Sequence, residues 1–462
     1  MRINTNENNR YIECRIHDAQ YRRRIDLKIH LSGIMHLASF YQRIAGVIQM
    51  RIEIITTGDE IMSGVTLDTN FHWAAEKLIS LGFDLRFHTS VGDDEETMIE
   101  ALRTAKRRSQ AAIVSGGLGP TPDDLTAEVA SRFFGIPLEL NDGALQMIEE
   151  RFKEQGRKLL EINKKQAYMP KGSQILKNFW GTAPGFQYQK DGVVFFFLPG
   201  VPKEFKAMIE EYVIPELDKR TLGRDKFKSR MVKTFGLRES EVAERLKGIE
   251  REGIKIGYRP SFPEIHIRVS GYGDTEEKVE KTVSEVIEEI ASRLGEYVFS
   301  AEGETLEEVV GKLLSRNRLT LALAESCTGG LVAHRISNVS GSSNYFERGI
   351  VSYSNESKVE VLGVPKELIE SFGAVSKEVV EAMAQGVRRL ANTDIAVSIS
   401  GIAGPTGGTP AKPVGTVFIG ISNEKKGTSS KRFQFKGTRE EIKLIASEVA
   451  LDWIRKFVLN NV

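Results

Sequence analysis

Short apolar runs alternate with longer amphipathic segments along the chain after residue 50. The runs at 51–56, Ala111–Ser115 and Val193–Leu198 have the length and composition of buried strands. Between such runs, apolar residues recur every three or four positions, which favours helices that pack one face on a sheet. The pattern is typical of βαβ units and predicts a parallel sheet covered by helices. The other elements predicted in this first module are a strand at 84–88 and helices at 70–81, 95–107, 125–134, 144–155 and 203–217.

Residues 226–300 follow a different pattern, which indicates a small α+β module similar to KH domains. The predicted elements are strands at 229–234, 255–258 and 264–269 and helices at 239–247 and 275–294. The segment lacks the GxxG loop with which RNA-binding KH domains clamp a nucleic-acid backbone. We therefore interpret it as a spacer or dimerisation domain.

From residue 304 the alternation of the first module returns. The predicted elements here are helices at 305–316, 331–336 and 440–457 and strands at 320–324, 349–352, 395–400 and 414–421. The predicted fold class is therefore α/β, with two parallel-sheet modules joined by a small α+β, KH-like domain. The predicted domain boundaries are 50–222, 226–300 and 304–462.

Composition and charge exclude several classes of protein. Of 462 residues, 40% are apolar and the net charge is +1, so no basic field favours direct contact with nucleic acid. The two cysteines, Cys14 and Cys327, cannot form a disulfide framework or a Cys-ligated zinc site. No apolar stretch reaches the roughly 18 residues of a membrane span. We expect a cytoplasmic protein that contacts neither membrane nor nucleic acid.

The first 49 residues differ from the rest, with eight Lys or Arg against four acidic residues and a run at Arg22–Arg24. They lack the apolar region of a secretory signal. Met50 is followed directly by the first predicted strand. We expect residues 1–49 to be a disordered or spurious extension; an RNA-binding or targeting arm is the alternative.

Three loops that follow predicted strands of the first module carry candidate ligand-binding residues. They are 57–60, 115–124 and 198–204. In an open parallel sheet such loops line the ligand crevice, and glycine lets backbone N–H groups approach a phosphate. The helix predicted from Leu125 adds a favourable partial charge at its N-terminus. The residues expected to contact phosphate are Gly116, Gly117, Gly119, Thr121 and Gly200.

The same loops carry four carboxylates, Asp59, Glu60, Asp123 and Asp124. Carboxylates repel a phosphate unless a cation lies between them, and hard oxygen ligands suit Mg, Mn or Co. Such a metal would polarise a pyrophosphate and activate a bound water. The alternative is that Asp123 or Asp124 caps the following helix.

The last module has its own strand-end loops, at 325–330, 340–343, 352–358 and 400–408. The first of these places Ser326, Thr328, Gly329 and Gly330 between a strand and a helix. Its hydroxyls can bind phosphate or supply a nucleophile. The 400–408 loop contains Gly401, Gly404, Gly407 and Gly408, enough glycine to wrap a ligand.

A hydrolytic serine needs a base, and His334 is the only histidine after residue 300. We expect His334 to be partly packed between the apolar neighbours in its helix, so a Ser-His-Asp triad is disfavoured. A lysine with a pKa depressed by burial can act instead, with a tyrosine hydroxyl relaying the proton. Lys358 and Tyr353 are the available pair, with Ser326 or Ser343 as the hydroxyl. Cys327 is a competing nucleophile, but its side chain should point away from that of Ser326.

From Met50 to its end the chain resembles the CinA family of competence/damage-inducible proteins. Residues 59–60, 115–124, 181–186 and 198–204 are similar to the family's N-terminal domain, itself similar to molybdopterin-binding domains. Residues 325–330, 353–358 and 401–408 are similar to its C-terminal nicotinamide-nucleotide amidohydrolase domain. These ordered motifs cover about nine-tenths of the chain.

The resemblance implies two activities and a homodimer. The C-terminal domain would hydrolyse nicotinamide mononucleotide to nicotinate mononucleotide and ammonia without a cofactor, in pyridine-nucleotide salvage. The N-terminal domain would be a metal-dependent ADP-ribose pyrophosphatase. The residues carried over to the amidohydrolase site are Ser326, Thr328, Ser343, Tyr353, Lys358, Ser400 and Arg439. This chain has Ser400 where the family usually has threonine, and Thr406 where glycine is common.

Two other classes of function compete with this interpretation. One is a regulatory or binding protein of competence without hydrolase activity, which the near-zero net charge disfavours as a direct DNA binder. The other is a molybdopterin-binding protein, which would leave the C-terminal loops without a role.

Overall fold

The computed structural model describes the backbone of residues 2–4, 11–18 and 23–30, and residues 50–221 and 226–461 in full. The first three segments are strands β1 (Arg2–Asn4), β2 (Tyr11–Asp18) and β3 (Arg23–His30) of one antiparallel sheet. The prediction of a disordered or spurious extension over 1–49 falls largely on residues outside this description and stays a prediction. The chain divides into two compact units, Met1–Lys226 and Phe227–Val462.

The first unit contains a six-stranded sheet in the order β5-β4-β6-β11-β10-β9. Its strands are β4 (Arg51–Thr57), β5 (Asp84–Val91), β6 (Ala111–Ser115), β9 (Gln174–Leu176), β10 (Gly185–Lys190) and β11 (Val193–Leu198). The four strands from β5 to β11 are parallel, as predicted. β10 and β9 add an antiparallel edge that we did not predict. β7 (Leu138–Leu140) and β8 (Tyr168–Pro170) form a separate pair.

Helices cover both faces of this sheet, and polar residues fix where they begin. The helices are α1 (Asp59–Met62), α2 (Thr69–Ser80), α3 (Glu95–Arg108), α4 (Thr126–Phe134), α5 (Asp142–Glu154), α6 (Pro202–Met208) and α7 (Ile214–Arg220), with a 3₁₀ segment at Glu161–Ala167. Asp68 caps α2 by accepting from Phe71 N, and Asp94 caps α3 by accepting from Thr97 N. The sheet residues Ile54, Ile113 and Phe196 are fully buried between the two helical layers.

The helix predicted at 203–217 is interrupted. A π-helical turn, Ile209–Val213, separates α6 from α7. Pro215 follows it and has no N–H to continue the α-helical hydrogen-bond ladder, which accounts for the local change of winding.

The second unit begins with a four-stranded sheet in the order β13-β14-β12-β15. Its elements are β12 (Lys226–Phe235), α8 (Glu239–Arg245), β13 (Ile254–Ser261), β14 (Glu264–Gly273), α9 (Glu276–Leu294) and β15 (Val298–Ser300). One face of α9 packs on β14 and buries Val283, Val286 and Ile290. This is the small α+β domain expected between the two α/β modules.

The rest of the second unit is built on a five-stranded sheet in the order β17-β16-β18-β19-β20. Its strands are β16 (Leu321–Glu325), β17 (Phe346–Val351), β18 (Ile395–Gly401), β19 (Thr416–Asn423) and β20 (Gly427–Gln434). β17, β16 and β18 are parallel, whereas β19 and β20 are antiparallel. The helices are α10 (Leu306–Asn317), α11 (Leu331–Ser337), α12 (Asn355–Leu362), α13 (Lys366–Phe372), α14 (Lys377–Ala391) and α15 (Arg439–Asn461). None of the helices in the described ranges has the length and apolar character needed to cross a membrane.

Candidate active sites

Ser326 and Lys358 form a buried pair at the carboxyl edge of the second unit's parallel strands. Ser326 directly follows β16, and Lys358 lies on α12, which begins after the cap that Ser354 provides to Ser357 N. Lys358 Nζ lies 3.2 Å from Ser326 Oγ. Lys358 is only 1% exposed and Ser326 8% exposed. A strand end and a capped helix thus hold a hydroxyl and an amine in contact away from solvent.

Main-chain carbonyls surround the remaining positions of the Lys358 amine. Lys358 Nζ donates to the carbonyl oxygens of Ser352 at 2.8 Å, Tyr353 at 3.2 Å and Ser354 at 3.4 Å. These neutral acceptors orient the amine without supplying a full negative charge. Burial lowers the pKa of Lys358 below its ordinary value. A larger fraction of Lys358 is therefore in the neutral form than of a solvated lysine. The lone pair of this neutral amine can accept the Ser326 proton.

The alternative nucleophiles are less well placed than Ser326. Ser343 is exposed in the 3₁₀ turn Ser342–Asn344, and no hydrogen bond among the described residues connects it to Lys358. Cys327 is buried against Gly401, and burial raises the pKa of its thiol to about 12. Since the thiolate is the reactive form, this raised pKa disfavours Cys327 as the nucleophile.

The Tyr353 hydroxyl contacts Arg439 and not Lys358. Arg439 Nη2 donates to Tyr353 Oη at 2.8 Å, while Arg439 Nη1 donates to the Gly404 carbonyl at 2.7 Å. Tyr353 is 60% exposed, and only its main-chain carbonyl reaches Lys358. The predicted proton relay through the Tyr353 hydroxyl is therefore not formed in this arrangement. Arg439 instead connects the loop before α12 to the glycine-rich loop after β18.

Glu325 occupies the N-terminus of α11, a position where sequence reasoning leaves room for a ligand. Its carboxylate accepts from the backbone N–H groups of Gly330, Val332 and Ala333. These hydrogen bonds to the buried Glu325 carboxylate hold the turn that contains Gly329 and Gly330 in place. Thr328, in contrast, is fully buried, and its hydroxyl has no hydrogen-bond partner among the residues described.

The loop after β18 uses several of its predicted ligand-binding residues for its own packing. Ser400 Oγ donates to the Ala374 carbonyl at 2.7 Å, so its hydroxyl is engaged inside the protein. A Cβ on Gly401 would lie 2.7 Å from Val417, and one on Gly408 would lie 2.8 Å from Val414 N. Gly404 likewise lies against Val414, whereas Gly407 is less constrained. Close packing alone therefore explains why glycine occurs at Gly401, Gly404 and Gly408.

Two residues near this site, Lys443 and His334, occupy positions that we did not predict. Lys443 Nζ lies 3.9 Å from the position that a Cβ on Gly329 would have, so this amine faces the loop that carries Ser326. Lys443 is four residues after Arg439 on α15, and the helical repeat puts both cations on one face. The spacing of four residues between Arg439 and Lys443 could have identified Lys443 from the sequence. His334, expected to be partly packed, is exposed and contacts Asn338.

In the first unit, the predicted strand-end loops line one cleft of about 430 Å³. Gly116, Gly117, Gly119 and Gly200 all contribute to its walls. Gly116 N donates to the Leu198 carbonyl at 3.0 Å and joins two of the loops. Gly117 has a φ of +66°, and a Cβ there would collide with Thr126 Oγ1. The close approach of this loop to α4 therefore requires glycine.

The four predicted metal ligands are not equivalent. Glu60, Asp123 and Asp124 line the cleft, whereas Asp59 exchanges backbone-to-carboxylate hydrogen bonds with Asp93. Asp124 Oδ2 accepts from Thr121 N at 2.8 Å and from Thr121 Oγ1 at 2.6 Å. No side chain caps α4, so the alternative that Asp123 or Asp124 caps this helix is wrong.

Asp93 adds a carboxylate to this cleft that sequence reasoning did not identify. Burial, together with the charges of Asp59, Glu60 and Asp123, raises the pKa of Asp93. Across 50–221 and 226–461, no three or more His, Cys, Asp or Glu side chains are arranged so that they could hold a metal ion. The cleft therefore offers hard oxygen donors in a negative field without a preformed cage.

Three further polar residues line the same cleft, Asn70, Gln166 and Glu204. Glu204 accepts from Asn178 Nδ2 at 2.7 Å, and burial raises the pKa of its carboxyl. Glu204 is the last residue of the predicted loop 198–204, whereas Asn70 begins the predicted helix 70–81 and Gln166 lies in a segment for which we predicted no element.

Three family models match the chain in succession. They are described as "Probable molybdopterin binding domain" over residues 53–219, "Damage-inducible protein CinA KH domain" over 229–300 and "CinA C-terminal domain" over 303–458.

Individual proteins show the same similarity over longer stretches. A competence-damage inducible protein of Caldicellulosiruptor saccharolyticus is 44% identical over 414 residues, which cover 89% of this chain and 100% of that protein. A CinA-like protein of Geotalea uraniireducens is 42% identical over 413 residues, covering 89% and 98%. The crystal structure of CinA from Thermoplasma acidophilum is 33% identical, with a TM-score of 0.34, over 36% of this chain and 98% of that one. The chain belongs to the CinA family, with a molybdopterin-binding-like module, a KH module and a CinA C-terminal module in that order.

Proposed function

We propose that the C-terminal module is an amidohydrolase that converts nicotinamide mononucleotide to nicotinate mononucleotide and ammonia. The observation that carries this proposal is the buried contact of 3.2 Å between Lys358 Nζ and Ser326 Oγ. A serine activated by a desolvated lysine is a nucleophile for acyl transfer, and a carboxamide is an acyl donor with ammonia as its leaving group.

The residues present suffice for a balanced reaction. The neutral amine of Lys358 takes the Ser326 proton as Oγ bonds to the carboxamide carbon, whose C=O electron pair moves to oxygen. The tetrahedral intermediate collapses, the C–N bond breaks, and Lys358 returns the proton to the leaving nitrogen, which departs as ammonia. Water then loses a proton to Lys358 and attacks the ester. The second tetrahedral intermediate collapses as its bond to Ser326 Oγ breaks, and Lys358 returns its proton to that oxygen. The product carboxylic acid then loses its proton to solvent.

Two uncompensated cations favour an anionic substrate at this site. Arg439 donates only to a hydroxyl and a carbonyl, and Lys443 faces the Gly329 turn. No carboxylate of the described residues forms an ion pair with either cation. Arginine and lysine are the usual phosphate partners in proteins, so a phosphoribosyl group fits this edge of the sheet.

The test is ammonia release from nicotinamide mononucleotide by the purified protein. Ser326→Ala should abolish release, whereas Ser343→Ala, a matched change at the other candidate serine, should retain most of it. No ammonia from folded wild-type protein at any pH between 6 and 10 would reject the amidohydrolase. Loss of activity in Ser343→Ala with retention in Ser326→Ala would reassign the nucleophile.

We propose that the N-terminal module hydrolyses the pyrophosphate bond of ADP-ribose. The supporting observation is that one cleft combines the glycine loop after β6 with the carboxylates of Glu60, Asp93, Asp123 and Asp124. Glycine loops accommodate phosphate oxygens, and the carboxylates would repel that charge unless a cation accompanied it.

The donor set of this cleft fits a hard divalent cation such as Mg, Mn or Co. Mg²⁺ is usually held by one or two carboxylates together with substrate phosphates, so a preformed group of three ligands is not required. One or two of the carboxylates that line the cleft, Glu60, Asp93, Asp123 and Asp124, would hold the ion together with the substrate's phosphates. When bound, such an ion polarises a phosphoryl group and activates water.

ADP-ribose cleavage in the presence of Mn²⁺ or Co²⁺ tests this second proposal. Asp123→Asn removes one charge from the cleft and should lower cleavage at least about 10²-fold. Asp191→Asn, at an exposed carboxylate paired with Lys106, is the matched control and should retain activity. If added metal fails to support cleavage by the wild type, the proposal is rejected.

A further inference from the structure

Asn70 lines the cleft of the first unit and has an unused hydrogen-bond acceptor. It is 7% exposed, and its Nδ2 donates to the Gly200 carbonyl at 2.7 Å and to Ser115 Oγ at 3.0 Å. Because a carbonyl oxygen can only accept, these contacts fix which end of the amide is nitrogen. The other end, Oδ1, is buried and has no partner among the described residues.

Gln166 repeats this arrangement on the other side of the glycine loop. It is 8% exposed, and its Nε2 donates to the Leu118 carbonyl at 3.4 Å. Its Oε1 is also buried without a partner among the residues described, and the side chain lines the same cleft. A buried acceptor without a donor is costly, and such atoms in proteins are normally paired with protein groups, water or ligand.

The two amides lie at opposite ends of one phosphate-binding loop. Asn70 holds Ser115, the last residue of β6, and Gln166 holds Leu118, three residues later. A diphosphate seated on Gly116 and Gly117 would therefore have one free acceptor near each end. Phosphate oxygens accept hydrogen bonds and cannot satisfy either amide, whereas sugar hydroxyls donate.

We propose that Asn70 Oδ1 and Gln166 Oε1 accept hydrogen bonds from hydroxyl groups that flank the substrate's diphosphate, so that the cleft selects diphosphates carrying a sugar on each side. This rests on the proposed pyrophosphatase function and adds the residues that recognise the groups outside the phosphates. ADP-ribose has this chemistry, with one ribose on each side of its diphosphate. Inorganic pyrophosphate has the same centre without the hydroxyls.

The comparison of these two ligands tests the proposal. Gln166→Met removes the acceptor, and we expect it to weaken ADP-ribose binding about tenfold while inorganic pyrophosphate binds as before. Binding is measured by titration calorimetry with Mn²⁺ in excess, so that the test does not depend on turnover. Gln146→Met, at an exposed glutamine of α5, is the matched control and should change neither affinity.

A second variant separates ligand recognition from support of the loop. Gln166→Glu keeps an acceptor oxygen but loses the donation to Leu118; its charge weakens both anionic ligands alike. We expect the ratio of ADP-ribose to pyrophosphate affinity to remain near the wild-type value in Gln166→Glu and to fall in Gln166→Met. Asn70→Asp and Asn70→Ala provide the same comparison at the other end.

Each other outcome overturns the inference. Equal weakening of both ligands in Gln166→Met would assign Gln166 to loop structure, and unchanged affinities would mean that water satisfies its acceptor. Wild-type protein that binds ADP-ribose no better than pyrophosphate would also reject it. If the wild type binds ADP-ribose selectively through these amides but does not cleave it, the pyrophosphatase proposal fails and the recognition proposal stands.

Discussion

Lys358 differs from other lysines of this chain in its surroundings. Most lysines extend into solvent, whereas the Lys358 amine is enclosed by three carbonyls and the Ser326 hydroxyl. Burial lowers the pKa of Lys358, which means that the folded protein favours the neutral amine more than the unfolded chain does. Between the lowered pKa of the folded state and the ordinary lysine value, the unfolded chain therefore binds more protons at this position. Unfolding then takes up a proton, so the contribution of Lys358 to stability improves as pH rises.

The rate of the proposed amidohydrolase should rise with pH through the lowered pKa of Lys358, because the neutral amine is the base. Lys358→Met should lower kcat/KM for nicotinamide mononucleotide by about 10²–10⁴-fold. Lys358→Arg should not restore it, because a guanidinium stays protonated. The measurement is the pH–rate profile of ammonia release.

Lys366→Met is the control for this prediction, since Lys366 is an exposed lysine of the neighbouring α13. It should leave both the rate and the profile unchanged. A profile that is flat between pH 6 and 10, or near-normal turnover by Lys358→Met, would contradict the role of Lys358 as base.

At the residue scale, the sequence was most informative where the chemistry is rare. A histidine-poor module with serine-rich and glycine-rich loops pointed to a lysine base, and Lys358 does contact one of the two candidate serines. The sequence could not show whether Ser326 or Ser343 is the nucleophile, because that depends on which loop faces α12. Asn70 and Gln166 could not be identified from the sequence, for a different reason. An amide becomes noticeable only when its neighbours fix one end and leave the other unpaired.

At the scale of elements, α12 depends on its contact with α14. Gly386 lies within α14, and a Cβ there would overlap the carbonyl oxygen of Leu362, the last residue of α12. Alanine normally stabilises a helix interior by about 1 kcal/mol relative to glycine. Here the missing side chain lets the end of the helix that carries Lys358 pack closely.

Gly386→Ala should therefore destabilise the protein by about 1–3 kcal/mol, the usual cost of overpacking, against the trend for helical glycines. It should also lower amidohydrolase activity, because α12 must move to relieve the overlap. Thermal unfolding and ammonia release measure the two effects. Gly143→Ala, in α5, meets the flexible end of Ile175 at 3.1 Å and Asn141 Oδ1 at 3.4 Å, an ordinary contact, and should be neutral or slightly stabilising. A more stable, fully active Gly386→Ala would contradict the packing argument.

The elements themselves were predictable to different degrees. The central parallel strands were predicted correctly because burial on both faces gives continuous apolar runs, as at Phe195–Phe197. The helix α14 was not predicted, although Val379, Met383 and Val387 have clear helical spacing and are buried. Edge strand β20 has alternating exposed polar residues and no apolar run, so its place follows only from pairing with β19.

At the scale of the whole molecule, each candidate site draws its residues from one unit. The Ser326 site lies within Phe227–Val462 and the carboxylate cleft within Met1–Lys226. The two activities should therefore be separable by substitution. Ser326→Ala should eliminate ammonia release and leave ADP-ribose cleavage unchanged, and Asp123→Asn should do the reverse. Both reactions are measured on the same preparation, and loss of both in either variant would contradict independent sites.

The second unit also contains a buried charge cluster that links its α+β and α/β parts. Glu448 of α15 is 1% exposed and accepts from Arg335 Nη1 at 2.6 Å. Arg335 also donates to Glu307 at 2.8 Å, and the Glu264 carboxyl of β14, itself 2.6 Å from His266 Nε2, adds a further negative charge. One arginine thus pairs with two carboxyls, Glu307 and Glu448. Burial, opposed in part by Arg335, raises the pKa of Glu448 to about 8.

The sign of the resulting pH dependence follows from proton counting. Between pH 4.5, the ordinary value for glutamate, and pH 8, the folded protein keeps a proton on Glu448 that the unfolded chain has released. Stability must therefore fall as pH rises through this window, by at most about 1.4 kcal/mol per pH unit. Glu448→Gln imitates the protonated carboxyl and should remove this slope, matching wild type near pH 5 and exceeding its denaturation midpoint near pH 9. Glu347→Gln, at an exposed glutamate of β17, should keep the wild-type slope. If denaturation midpoints of Glu448→Gln and wild type run parallel from pH 5 to 9, Glu448 is ionised throughout and the cluster is an ordinary buried ion pair.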